Sequence, residues 1–346
     1  MKVRGIGIGS MVYGVGYGFS RPDFASAEVE IAPDGTVTIW SGASELGQGI
    51  RTVLSQIVAQ EFGAAYEDIR VISADTDKTP DSGPVSASRS TYVQGNAVLA
   101  ACKDLKQELI SLASELMGVE SNLVEIQNGQ IAAKDKIGKI ISFSKLASEM
   151  HVQGRRTHGF GWHNNRTLDV DKNTSQGDAY SSYAWASQLV EVEVDTQTGR
   201  VKILRLASAT DVGKAINPQL IEGQIEGGAV QGLGFALMEE MQVEQGVFNN
   251  ANLSTYLIPT AADVPPIDSL IVEVSDPSGP YGAKGMAEPA TIPTTPAILN
   301  AIADAISKRV RYSLASPENV LKVLGKIDGS GKEGFLLLED IPYPVA

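Results

Sequence analysis

Residues 279–306 read Gly-Pro-Tyr-Gly-Ala-Lys-Gly-Met-Ala-Glu-Pro-Ala-Thr-Ile-Pro-Thr-Thr-Pro-Ala-Ile-Leu-Asn-Ala-Ile-Ala-Asp-Ala-Ile. The glycines and prolines of the first part predict an ordered but irregular loop. The acid in that loop is Glu288, followed by Pro289. A residue before proline is pushed away from helical geometry, so this carboxylate is expected at a loop end. A helix is predicted next, because Ala297, Ile298, Ala301, Ile302, Ala305 and Ile306 fall at helical spacing. Most of its side chains are small, which suits tight packing beneath a site. A Glu at a helix start is ordinarily solvated and favoured by the helix dipole, so Glu288 needs support from the rest of the chain.

That support comes from a pattern that occurs twice. Residues 27–42 predict a hairpin, with strict alternation on both sides of an Ala-Pro-Asp-Gly turn. It leads into Ser44-Glu45-Leu46-Gly47-Gln48-Gly49 and then a helix whose stripe is Val53, Leu54, Ile57, Val58 and Phe62. Residues 188–206 predict a second hairpin, followed by a glycine-bearing loop and a helix that carries Gln224. Gly227, Gly228, Gly232 and Gly234 weaken that helix by about 1 kcal/mol each, a cost suited to close approach. Two similar halves are expected to face one site, with Gln48 and Gln224 reaching it from opposite sides. The fold class is α+β, built from two similar α/β subdomains at 1–150 and 151–325, with an extended arm at 326–346.

Three other stretches bear on the site. Residues 75–91 form a long polar loop before a helix predicted from Tyr92 to about Met117. Loops of that length in compact domains are usually functional. Ser86, Ala87, Ser88, Ser90 and Thr91 offer hydroxyls and free N–H groups suited to cradling a pyrophosphate. Residues 5–18 alternate glycine with apolar residues, which suggests a strand lying against another backbone or a ligand. A dinucleotide fingerprint there lacks the preceding strand and following helix. Tyr13 and Tyr17 are read on one strand face, where rings could stack on a flat substrate. Residues 118–182 predict an Asn-Gly hairpin at 124–139, a short helix at 143–150 and a polar surface or interface loop from 155 to 176.

Composition sets the bounds. The 346 residues, with 43% hydrophobic and 20% charged, can bury a core of about two domains. A net charge of −13 argues against nucleic acid or an anionic membrane as partner. A phosphate-bearing cofactor would then be held mainly by backbone N–H groups, which 35 glycines make accessible. The single Cys102 leaves no internal disulfide and no cysteine-ligated iron–sulfur cluster. His151, His158 and His163 are read as solvated in one polar loop. The glycine-interrupted amino terminus does not resemble a signal peptide, and no run reaches membrane-spanning length. A reducing, cytoplasmic setting is expected.

Lys-Gly-Met-Ala-Glu-Pro and its apolar helix resemble the active-site loop of the xanthine dehydrogenase and aldehyde oxidase family of molybdenum hydroxylases. Residues 86–98, including Gly95-Asn96-Ala97-Val98, are similar to that family's second pterin-cofactor loop. The resemblance runs from about Gly5 to Leu324, with at least four motifs in the family order. It covers only the carboxy-terminal half of the family's molybdenum-binding region, so it implies a separate subunit completed by others.

What it implies is specific. The cofactor would be molybdopterin cytosine dinucleotide, its dithiolene holding Mo with a terminal sulfido or selenido ligand and no protein ligand to the metal. Leu46, Gly47, Gln48, Ser86, Ala87, Ser88, Ser90 and Thr91 would contact the cofactor, Lys284 and Met286 would line its edge, and Gln224 would approach an oxo group. Glu288 would be the general base, and Tyr13 and Tyr17 would bind substrate. Partner subunits would bring the missing half of the region, [2Fe-2S] clusters and FAD. The substrate would be a small N-heteroaromatic such as nicotinate, with xanthine hydroxylases and hydroxybenzoyl-CoA reductases sharing the same loops.

Overall fold

The computed structural model describes residues 1–127, 129–134, 139–167, 169–311 and 313–327. The expected arm lies outside the described residues from 328 onward, as does Asn128 of the expected Asn-Gly turn. The glycine-alternating amino terminus is a strand, β1 (Lys2–Gly14). β2 (Phe24–Ile31) and β3 (Val37–Ser41) form the first hairpin, with Gly35 at φ 92 in its turn. Then come α1 (Ile50–Phe62), β4 (Ile69–Ser73) and α2 (Gly95–Met117). A small sheet of β5 (Val124–Gln127), β6 (Gln130–Ala133) and β7 (Ile140–Ser142) precedes α3 (Phe143–Val152).

Residues 155–176 are not simply a surface loop. They contain β8 (His158–Asn164), which pairs antiparallel with β2. His158 and His163 therefore stand on a strand, and His151 sits in the last turn of α3 with Nε2 2.9 Å from the Ile31 carbonyl. Burial lowers the His163 pKa. The three histidines thus share no loop.

β9 (Tyr183–Asp195) and β10 (Val201–Asp211) form the second hairpin, followed by α4 (Pro218–Leu237). A two-residue pair, β11 (Val243–Glu244) and β12 (Val247–Phe248), leads to β13 (Ile267–Val272). The decisive stretch folds as α5 (Ala287–Thr291) and α6 (Thr294–Ile306), and α7 (Pro317–Leu324) follows, capped by Ser316.

The two main sheets have one topology. Their orders are β8-β2-β3-β4 and β1-β9-β10-β13. In each, an edge strand pairs antiparallel with a hairpin, and the last strand adds in parallel. The edge strands are exchanged. β1 precedes the first hairpin in sequence but joins the second, and β8 precedes the second but joins the first. The sheets therefore cross the expected division at residue 150. Both exchanged strands alternate glycine for the same reason. A Cβ on Gly5, Gly7 or Gly9 would strike α6 backbone or Pro293, and one on Gly159 or Gly161 would strike α2 backbone. Helix axes can lie directly on these strands only because the facing side chains are absent.

Each sheet has its own core. Val29, Ile39, Leu54, Phe62, Val98 and Leu105 belong to the first, and Val190, Val192, Leu233, Ile298 and Ile302 to the second. A third, small cluster of Val212, Ile225, Met286 and Ala290 lies apart from both. Polar contacts tie the halves together, including Tyr92 Oη to Ser278 Oγ at 2.7 Å and Tyr281 Oη to Glu61 at 2.6 Å.

Candidate active site between the two halves

Three loops build the site. The first precedes α1. Glu45 accepts the N–H groups of Gly47 and Gly49 at 2.9 Å and of Arg51 at 3.2 Å. Gly47 (φ 105) and Gly49 (φ 85) take left-handed backbone that side chains rarely adopt. Burial opposes ionisation of Glu45, but the three N–H donors outweigh it and its pKa is lowered. A lowered carboxylate contributes stability above its unfolded pKa, near 4.3, and loses it as pH falls through the folded value. Acid titration should therefore soften the start of α1, and Glu45→Gln should abolish that step in hydrogen exchange of the Gly47 and Gly49 amides. Gln48 is anchored in this loop. Its amide turns back on its own loop, donating to Ser44 O at 2.8 Å and accepting from Leu46 N at 2.6 Å.

The second loop is held from behind by a buried cation. Arg89 is 1% exposed. Its Nε donates to Asp23 Oδ1 at 2.6 Å, Nη1 to the carbonyls of Ser82 and Pro84 at 2.8 Å, and Nη2 to Phe24 O at 2.6 Å. Asp23 also accepts from Tyr17 N at 3.0 Å and Asn165 Nδ2 at 2.9 Å. With Arg89 fixed, Ala87 (φ 53) and Ser88 (φ 50) hold left-handed backbone, a conformation that costs non-glycine residues about 1–2 kcal/mol each. Such strain concentrates at functional loops.

The third loop carries Glu288. Pro289 does not leave this acid at a loop end. Glu288 lies in the first turn of α5, where the N–H that proline lacks would be unpaired anyway. Upstream, Lys284 Nζ donates to Asp211 Oδ2 at 2.6 Å in a buried ion pair. A Cβ on Gly285 would collide with the Ser88 carbonyl, so the second and third loops lie backbone to backbone. Ser88 then bonds Glu288 twice, its Oγ donating to Oε2 and accepting the Glu288 N–H at 3.1 Å. The Tyr13 phenol, on β1, lies close to Glu288. Burial and then the Glu288 charge push its pKa well above the ordinary tyrosine value, so it stays protonated.

These loops enclose a cavity of about 290 Å³. Leu46, Gln48, Ser86, Ser88, Ser90, Thr91, Gln224, Lys284, Met286 and Glu288 all line it. Val53, Val212, Ile216, Leu220 and Ile221 give it an apolar wall. A neighbouring void of about 480 Å³ shares Gln224 and Glu288 and is bounded by Gly227, Gly228 and Gln231. Gln224 and Glu288 thus stand where the two spaces meet.

Of the remaining candidates, Gly47 and Ala87 shape their loops through positive φ. Tyr17 lies beyond the end of β1, so it does not share a strand face with Tyr13. Its hydroxyl bonds Ser86, and the Arg21 guanidinium covers its ring at 4.5 Å from the centroid. Sequence reasoning missed Asp23, Arg89 and Asp211. The available signal was a lone Arg among small residues at 86–91, and an Asp closing a strand just before Val-Gly. Among the described residues, no group of three or more His, Cys, Asp or Glu side chains could hold a metal ion.

Comparison with known proteins identifies the architecture. The family described as molybdopterin cofactor-binding domain matches residues 1–265. The chain is 33% identical over 326 residues to a probable xanthine dehydrogenase subunit of Bacillus subtilis, covering 93% of this chain and 42% of that protein. It is 34% identical over 313 residues to the gamma subunit of the 6-hydroxypseudooxynicotine dehydrogenase complex of Paenarthrobacter nicotinovorans, covering 88% and 37%. The quinoline 2-oxidoreductase structure from Pseudomonas putida 86 superposes with a TM-score of 0.83 at 26% identity, over 94% of this chain and 42% of that one. The chain therefore spans about two fifths of the length of the relatives it matches. With the matched domain, these relatives and the doubled sheet topology in agreement, the chain belongs to the molybdopterin cofactor-binding family of the xanthine dehydrogenase type.

Proposed function

We propose that this chain is the catalytic molybdopterin-binding part of a multi-subunit hydroxylase that oxidises an N-heteroaromatic carbon, with water as oxygen source and nicotinate to 6-hydroxynicotinate as the favoured reaction. The observation that carries this reading is the Glu288 carboxylate at the wall of the cavity, bonded by Ser88 and sharing that wall with Gln224. In the net reaction a ring C–H becomes C–OH, one water is consumed, and two protons and two electrons leave.

The residues present fit a molybdopterin. Gly47, Gly223 and Gly227 have nothing within 4 Å of where a Cβ would be. Glycine within a helix costs about 1 kcal/mol relative to alanine, so open space beside two α4 glycines marks a place for a bulky group. The donor set suits a metal carried by an organic ligand rather than by side chains. Gly47, Ser86, Ala87, Ser88, Ser90 and Thr91 would hold the cofactor through backbone N–H and hydroxyl groups, in the cytosine dinucleotide form. When bound, the cofactor supplies the metal and the two-electron sink.

The chain's own residues then have defined tasks. Glu288 takes a proton at its carboxylate during oxygen transfer, as a positioned base does. Ser88 fixes its direction, and Gln224 offers an amide beside it. The apolar wall excludes water and receives a flat ring. A partner subunit supplies the rest of the molybdenum region, and iron–sulfur and FAD subunits carry the electrons away.

A carboxylate-bearing ring is favoured by Arg21. Its guanidinium stacks on Tyr17 and enters no ion pair among the described residues, in a chain of net charge −13. Tyr17 in turn bonds Ser86 at the cavity wall. A guanidinium fork pairs well with a carboxylate. Two named relatives, for quinoline and for 6-hydroxypseudooxynicotine, support a pyridine-type ring. In the assembled complex, Arg21→Ala should raise KM for nicotinate about 10–100-fold and leave KM for a neutral heterocycle such as quinoline unchanged. An equal effect on both rings, or none on nicotinate, would contradict the carboxylate assignment.

Gly227→Ala separates structure from function. Alanine should stabilise α4 by up to about 1 kcal/mol in urea melts of the chain alone. The same methyl group should lower the molybdenum content of the purified complex.

A further inference from the structure

The outward face of the β1-β9-β10-β13 sheet changes character along its length. At one end it is charged and ion-paired, with Lys2–Glu193 at 2.7 Å, Arg4–Glu191 at 3.6 Å and Arg205–Asp268 at 2.5 Å. At the other end the same strands carry Ile8, Val12, Trp185, Leu189, Leu270 and Val272, each exposed. Pairing makes this patch contiguous, since Ile8 lies opposite Leu189 and Val12 opposite Trp185. Leu270 and Val272 lie beside Ala209 and Asp211 on the adjoining strand. Between these rows, Ser10 Oγ and Ser187 Oγ bond each other at 2.8 Å rather than facing water alone. A groove of about 380 Å³ runs past Val12, Trp185 and Val272.

Antiparallel strands with a solvated face alternate apolar-in with polar-out. The charged end obeys that rule, and the apolar end of the same strands breaks it. Contiguous exposed apolar surface of this kind marks an interaction site. Two further facts identify the occupant. The relatives contain about three fifths of their length beyond what this chain spans, and in the functional reading above a partner subunit supplies that part. The apolar end is also the end that runs into the site. β1 brings Tyr13 close to Glu288, β10 closes with Asp211 on Lys284, and Val212 lines the cavity. A chain seated here would continue the cavity wall.

We propose that the apolar end of this sheet face seats a second polypeptide, the one equivalent to the rest of the relatives' molybdenum region, through an aliphatic and aromatic surface poor in charge. This rests on the functional reading above and adds where the partner binds. In co-expressed complex, Leu189→Glu and Leu270→Glu should each weaken association with that second subunit at least about 30-fold while the chain keeps its circular dichroism and melting temperature. Lys2→Glu, on the charged end of the same face, should leave association unchanged. Radical footprinting of the wild-type complex should show Trp185 protected relative to the isolated chain.

Wild-type affinity in both variants, with Trp185 equally reactive in chain and complex, would overturn the proposal. So would an isolated chain that self-associates through this face while the complex forms without it. Molybdenum in the assembled complex is measured separately. A complex seated on this face but devoid of molybdenum would contradict the functional reading and uphold the seat.

Discussion

Glu288→Gln should lower kcat of the assembled complex by about 10²–10⁴-fold, the range lost when a positioned general base is removed. Glutamine keeps the size of the side chain and can still accept the Ser88 hydroxyl at its amide oxygen. It cannot take the proton. Fold and molybdenum content should therefore match the wild type, which confines the loss to the chemical step. Near-normal kcat in this variant would refute the assignment of the base. Ser88→Ala is the companion measurement. It removes both of the bonds by which residue 88 fixes Glu288 and should reduce kcat less than the loss of the carboxylate itself.

Arg89→Ala should destabilise the chain by about 3–5 kcal/mol, because it leaves Asp23 buried without its cation. Domains of this kind hold only about 5–15 kcal/mol in total, so the urea midpoint should fall by a large fraction. The effect reaches the site, since Arg89 is what holds the 82–89 backbone behind Ala87 and Ser88. Adding Asp23→Leu should recover part of the stability, as replacing both partners of a buried pair commonly does. Recovery should stay incomplete because Tyr17 N and Asn165 Nδ2 also lose their acceptor. A double variant no more stable than Arg89→Ala would show that the pair is not the relevant unit.

Much of this arrangement was legible in the sequence. Period-two alternation around the Asp-Gly turn marks β2 and β3, and small residues at helical spacing mark α6. The doubled order of hairpin, glycine loop and Gln-bearing helix foretells two similar halves. β8 was missed because its buried face consists of Gly159 and Gly161. The alternation test looks for apolar residues on the inner face, and glycine supplies none. The strand exchange was hidden for a related reason, because no local signal says which hairpin an edge strand joins.

The site shows the same limit. Loops at 44–49, 86–91 and 284–288 were each readable from their glycines, serines and lone acid. Their contacts were not, since Ser88 and Glu288 are 200 positions apart. Arg89 was missed in its polar loop and is the buried centre of that loop. Gln48, on the cavity wall, is bonded to its own loop, a contact with no sequence signal.

The most direct measurement is a crystal structure of the assembled complex with anomalous data collected on both sides of the molybdenum absorption edge. The account predicts one molybdenum peak for this chain, between Gln224 and Glu288 and away from any side-chain ligand of the protein. A peak elsewhere on the chain, or a metal bound directly by side chains with residue 288 turned away from it, would contradict the account.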